Sequence, residues 1–279
     1  MEDMTALPTR HVSPGRSEGR GSASGLVLLV AMLLISVPTA KQASAAEEWE
    51  FVVAPYLLAP NITGDTGVGR FVNGANVDVD TGDILDALDL GGMIHAEARH
   101  ASGFGIMTDL AFMDLSSKTP GPLLPNATIK GEVFQGILEA YGTYRFDLFR
   151  DKIDVYGGLR WWHMDVKLTR QNAPGPAPAN LIDISEDWID PVVGARWVAQ
   201  LGEDWRSSFA ADVGGFGIGS DFSLSLQALA LYDFSKSMSF AFGYRVLTVD
   251  YDNGKAGTPN YFAYDTITHG PMVGVAFRF

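Results

Sequence analysis

Residues 238–248 read MSFAFGYRVLT. Every second side chain is large and apolar: Met238, Phe240, Phe242, Tyr244 and Val246. The residues between them, Ser239, Ala241, Gly243 and Arg245, are small or polar. A period of two with unlike faces is a β-strand. The same split recurs outward from this stretch. Phe134, Leu138, Ala140, Tyr144 and Phe146 alternate with Gln135, Glu139, Tyr141, Thr143 and Arg145. Trp205, Phe209, Ala211 and Val213 oppose Arg206, Ser208, Ala210 and Asp212. Leu224, Leu226, Ala228, Tyr232 and Phe234 oppose Ser223, Ser225, Gln227 and Asp233.

A soluble sandwich would bury its apolar faces and solvate its polar ones. Here the polar faces carry isolated charges among small residues, and the apolar faces end in aromatics beside turns. Phe104, Phe146, Trp205, Phe234, Phe240 and Phe279 all lie close to a short turn or the C-terminus. An apolar exterior, a polar lumen and aromatic girdles describe a transmembrane barrel. The turns are of two kinds. Short ones fall near 101–103, 149–152, 202–204 and 235–237; longer ones near 64–89, 116–128, 171–186 and 252–260, with a shorter one near 217–221. The pattern predicts an all-β, antiparallel, up-and-down barrel of ten strands, with twelve as the alternative. The strands fall near 49–63, 89–101, 104–115, 129–147, 152–169, 187–201, 205–216, 222–234, 238–251 and 261–279. An even number puts both ends on the side of the short turns. The segment GANVDVDT (74–81) is assigned to the first loop.

The chain has 279 residues, 47% hydrophobic and 19% charged, which excludes a disordered chain. Its net charge of −13 argues against a nucleic-acid partner. With no cysteine, it has no disulfides, thiolate metal sites or thiol nucleophile. Residues 1–45 read as a secretory signal peptide: Arg10, Arg16 and Arg20 precede an apolar run at 25–37 and the small-x-small site Ala43-Ser44-Ala45. Residues 46–279 are then the barrel domain. The run is too short for a membrane-spanning helix, which needs roughly 20 apolar residues. The chain ends GPMVGVAFRF, with Val273, Val275, Phe277 and Phe279 on one face. These four are expected to form the signal read by the barrel-assembly machinery.

With these stretches in view, the chain resembles the uncharacterised outer-membrane β-barrel proteins of Gram-negative bacteria. The likeness is carried by VVAPYLLAP (52–60), DILDAL (83–88), GGLRWW (157–162), DVGGFGIGSD (212–221), FGYR (242–245) and the final ten residues. It implies residence in the bacterial outer membrane after signal-peptide cleavage, among lipid and lipopolysaccharide. It supplies no catalytic residues and no cofactor.

The inward faces collect His95, Glu97, Arg99, Asp109, Glu139, Arg145, Arg160, Arg196, Asp212 and Arg245. Arg160 lies on a strand of ambiguous parity. Charges in a barrel interior must be paired or wet. The expected pairs join Arg145, Arg196 and Arg245 to Glu139 and Asp212. Such a network locks the barrel or lines a charged constriction. The acidic run DVDTGDILDALD (78–89) nearly fits a calcium loop, but Gly82 stands one position early. A short helix capped by Asp83, with Ile84, Leu85 and Leu88 as its apolar stripe, is the preferred reading. Two His/Asp pairs, His163 with Asp165 and His269 with Asp265, keep an enzyme in view. It would be a rim-sited hydrolase, omptin-like or acting on lipid. No nucleophile motif accompanies either pair. The functional expectation is a monomeric, structural or narrow, partly plugged pore without metal or cofactor.

Overall fold

The alternation of residues 238–248 runs through the whole sheet. The structure, a computed structural model, describes residues 48–70, 72–120, 128–172 and 179–279. The signal peptide expected at 1–45 lies outside the described residues. The strands are β1 (Trp49–Leu58), β2 (Asn61–Val68), β3 (Val72–Val79), β4 (Leu88–His100), β5 (Phe104–Pro120) and β6 (Thr128–Leu148). They continue as β7 (Asp151–Gln171), β8 (Ala179–Gln200), β9 (Trp205–Gly215), β10 (Phe222–Ser235), β11 (Met238–Asn253) and β12 (Phe262–Arg278). One helix, α1 (Thr81–Ala87), lies between β3 and β4.

All twelve strands form one sheet. Strands β4 to β12 pair with their sequence neighbours, and β1 closes the ring. It meets β12 at Val52–Arg278 and β4 at Trp49–His100, all antiparallel. Ten strands therefore make the closed barrel, and β2 and β3 extend the sheet from the outer half of β12. The segment 74–81, assigned to a loop from sequence, instead contributes most of β3 and the first turn of α1. Its alternating Val77 and Val79 pair with Gly64 and Ile62. The first strand, expected as one piece over 49–63, breaks at Ala59–Pro60. Proline has no N–H for the ladder. Gly270 accepts this kink, because a Cβ there would stand 2.0 Å from the Ala59 carbonyl oxygen.

The outward face is apolar. Phe104, Phe146, Trp205, Phe234, Phe240 and Phe279 are all exposed there, beside the short turns or the C-terminus. The band runs on β7 from Val155 through Leu159 to Trp161, and on β8 from Trp197 through Val193 to Ile189. Beyond Trp161 the same faces become polar, with His163, Asp165, Lys167, Asp183 and Asp187. These residues stand outside the apolar band. Strands β7 and β8 pass well beyond it, over residues 179–186 where a loop was expected. Their outward Asp165, Lys167, Asp183 and Ser185 are polar, which gives the sequence the look of a loop. Their inward Ile182 and Trp188 are buried.

Helix α1 starts one turn earlier than its sequence suggests. Asp80, not Asp83, is the N-cap, and its carboxylate accepts from the Asp83 N–H at 2.9 Å. Ile84 is buried, whereas Leu85 is exposed. The acidic run is divided among β3, the cap, α1 and β4, so it does not wrap a single loop.

Candidate functional site

The lumen has two unlike halves. Toward the long loops it is filled by hydrophobic side chains. Trp162, Trp188, Tyr251, Phe262, Tyr264, Met164, Ile182, Leu247, Val249 and Val68 form one buried cluster. They come from β7, β8, β11, β12 and β2, so the cluster crosses the barrel. Trp188 lies between Trp162, with ring centroids 5.3 Å apart, and Tyr251, at 4.0 Å, nearly parallel to both. Such contacts add about 0.5–1.5 kcal/mol per pair beyond area burial. The polar edges are satisfied at two points. Trp162 Nε1 donates to Asp190 at 3.2 Å, and the Tyr251 hydroxyl donates to Glu186 at 3.3 Å. Asp190 also accepts from the Ser220 backbone N–H at 2.7 Å, tying the β9–β10 turn to the plug.

Below this plug lies a layer of charge. The Arg160 side chain is fully buried. Its Nε donates to Glu139 at 2.8 Å, and its Nη2 to Asp212 at 2.8 Å and the Tyr141 hydroxyl at 3.2 Å. Arg245 donates to Glu139 at 2.8 Å and to the Tyr56 hydroxyl at 3.3 Å. Tyr56 in turn donates to Asp109 at 2.7 Å. His95 stands between Asp109, at 3.2 Å, and Glu97, at 2.9 Å.

A second layer lies nearer the short turns. Asp154 receives Arg145 Nε at 2.6 Å, Arg99 Nη1 at 2.9 Å and Arg196 Nη2 at 2.7 Å. Glu97 accepts from Arg99 at 2.6 Å and from Arg196 at 2.9 Å. At the mouth Arg206 grips Asp233 at 2.6 and 2.7 Å, and Arg278 meets Glu50 at 3.0 Å. These layers surround a cavity of about 570 Å3 that extends to the short-turn end.

Each lumen residue singled out from sequence, from Glu97 to Arg245, thus faces the interior. The pairing differs from expectation. Arg245 reaches Glu139 as foreseen, but Arg145 and Arg196 meet at Asp154. Asp154 and the aromatic plug are absent from the sequence reading. One signal would have found both: the parity that turns Arg160 inward also turns Asp154, Tyr156, Trp162 and Met164 inward. At the C-terminus Val273, Val275, Phe277 and Phe279 lie on the outward parity, and Phe279 exchanges backbone hydrogen bonds with Phe51.

The two His/Asp pairs lie on the outer surface. His163 Nδ1 is 2.9 Å from Asp187, and its Nε2 is 3.3 Å from Asp165. Slight burial opposes its charge. The hydrogen bond donated to Asp187 and the charges of Asp187 and Asp165 outweigh that, so the imidazole titrates above its ordinary value. His269 pairs with the Tyr244 hydroxyl at 2.6 Å rather than with Asp265.

The fold and its surfaces define a membrane-type β-barrel. No family model and no curated protein matches the sequence. Among solved structures, the chain is similar to the translocator domain of autotransporter NalP from Neisseria meningitidis. Identity is 13%, with 92% of this chain and 96% of that one covered, at a TM-score of 0.48. It is also similar to the outer membrane protease OmpT from Escherichia coli, at 7% identity, 86% and 99% coverage and a TM-score of 0.47. Neisserial surface protein A aligns at 11% identity over 82% and 97%, with a TM-score of 0.29.

Proposed function

We propose that this protein is a closed, structural barrel of the bacterial outer membrane, with a polar chamber open to the periplasm. The observation that carries the reading is the buried Trp162–Trp188–Tyr251 stack lying above the fully buried Arg160. Packed aromatics fill this part of the lumen, and a satisfied guanidinium beneath them leaves no free charge to hydrate. The apolar band and aromatic girdle support a lipid surround of outer-membrane type. Short turns belong on the periplasmic side of such barrels. The chain would work as a monomer among lipopolysaccharide and lipid after loss of residues 1–45. Its C-terminal strand, ending on Phe279, would serve the assembly machinery.

Single-channel recording in planar bilayers tests the closed lumen, with a heat-shifted gel band as proof of folding. The folded wild type should give no steady current steps. Reproducible steps from it would overturn the reading. The alternative of a rim-sited hydrolase rests on His163 and Asp165, whose surroundings hold carboxylates and a tryptophan but, among the described residues, no nucleophile in hydrogen-bond reach.

A further inference from the structure

The closed-lumen reading turns the cavity into a blind chamber, and its walls are not alike. The wall made by β6, β7 and β8 is basic, although the chain carries −13 overall. Arg145, Arg150, Lys152 and Arg196 all line the chamber from this side. In register, Arg145 stands opposite Asp154, and Asp154 opposite Arg196, so two guanidinium groups flank one carboxylate. Arg99 reaches in from β4 and adds a third. These three cations face only Glu97 and Asp154 in their layer.

The hydrogen-bond donors point the same way. A guanidinium carries five N–H donors. Arg145 uses Nε and Nη2 on Asp154, and its Nη1 has no partner among the described residues. Its side chain is 15% exposed, so that nitrogen is not sealed off. Arg150 and Lys152, nearer the mouth, form no ion pair among the described residues. Asp147 faces Lys152 across the ladder without bridging to it. Glu203 lies on the next turn and also lines the chamber. The other walls carry Glu50, Glu97, Asp109 and Asp233, so the basic character is local to this wall, where unpaired cations draw counter-ions. A volume of about 570 Å3 is that of a small-molecule site.

We propose that this chamber binds a small, multiply charged oxyanion from the periplasm, held between the free Nη1 of Arg145 at depth and Arg150 and Lys152 at the mouth. The ligand would carry two or more carboxylate or phosphate groups, spaced to span the two levels. The inference rests on the lumen being closed, since a conducting lumen would pass the anion instead of holding it.

The test is isothermal titration of the folded barrel in zwitterionic detergent at low salt, with citrate and tripolyphosphate as probes and spermidine as the cationic control. One anion per barrel is expected, with no heat from spermidine. Raising the salt should weaken binding. The double variant R150Q/K152Q should weaken it at least tenfold, because it removes the two unpaired mouth cations and no buried ion pair. K118Q, on β5 at the opposite end, should leave binding unchanged. Absence of heat from both anions overturns the proposal, as does equal binding by R150Q/K152Q. Planar-bilayer recording of the same samples separates the two ideas. Current steps would refute the closed lumen, whereas the titration decides the anion site.

Discussion

The two halves of the lumen are filled by opposite means within one alternating sheet. The outer half is sealed by packing: Trp162, Trp188, Tyr251 and Phe262 meet ring against ring. The half nearer the short turns is held by pairing: Arg99, Arg145 and Arg196 converge on Asp154 and Glu97. The difference teaches which defect each half tolerates. A packed layer fails by leaving a hole, and a hole in a barrel is a channel. A paired layer fails by leaving a charge, and the chamber's water can reach most of these charges. Arg160 lies at the junction, fully buried and bonded to Glu139 and Asp212, so it shares the weakness of both.

The largest effect should come from opening the plug. Trp162→Ala with Trp188→Ala removes two of the three stacked rings. Each change should cost about 3–5 kcal/mol in urea-induced unfolding. The folded fraction should conduct, where the wild type should not. A stable double variant that stays silent in bilayers would mean that the charged layer alone closes the lumen. Next comes the junction. Arg160→Ala leaves buried Asp212 without its cation and Glu139 with Arg245 alone, and should destabilise by about 3–5 kcal/mol. Arg145→Ala should cost clearly less, since Asp154 keeps Arg99 and Arg196. Equal losses from the two variants would erase the distinction between a buried and a water-lined network.

Much of this contrast was legible in the sequence, and the missing parts have physical causes. Strong alternation set the ring of ten strands and turned Glu139, Arg145, Asp212 and Arg245 inward, because a charge among outward Phe and Leu marks its face. Strand β7 was harder. GGLRWW sets glycines on both faces and a tryptophan on each, so Arg160 had no clear side and Asp154 and Trp162 went unassigned with it. The plug was hidden for a related reason. In the outer third of the barrel the polarity of the faces inverts: Trp188, Tyr251 and Phe262 point in while Asp187, Asp252 and Asp265 lie on the outward parity. A polar-in expectation places these stretches on strands but turns no aromatic inward there. Partner choice was beyond parity altogether. Parity says that Arg196 points inward, but only three-dimensional register puts it on Asp154 rather than on Asp212.

A smaller effect concerns the outer half's edge, where α1 lies against β5 and buries Ile84. Asp80→Ala removes the cap that accepts from Asp83. It should cost about 0.5–2 kcal/mol, as cap losses do. Amide exchange should rise in 81–87 while the strands stay protected. If exchange spreads into the inward residues of β11 and β12, packing in the outer half extends to the helix. If it stays local, the plug is self-sufficient.

The smallest effect contrasts a buried ion network with an exposed one. On the outer surface His163 sits between Asp187 and Asp165, at 2.9 and 3.3 Å, outside the apolar band. Its folded-state titration lies above the ordinary imidazole value of about 6.5, because the carboxylates outweigh its slight desolvation. A raised histidine stabilises the fold fully below the unfolded value, and this contribution fades as pH rises through the folded one. Stability should therefore decline slightly on going from mildly acidic to alkaline buffer, and Asp187→Asn should flatten that decline. Histidine ring NMR checks it directly: the His163 midpoint should fall back toward its ordinary value in Asp187→Asn. An unmoved midpoint would leave Asp165 or the neighbouring Trp161 as the source of the shift. Being solvent-screened, this triad should respond to added salt far more than the Arg160 layer inside, which the same titration at two ionic strengths, set beside the unfolding of Arg160→Ala at both, would reveal.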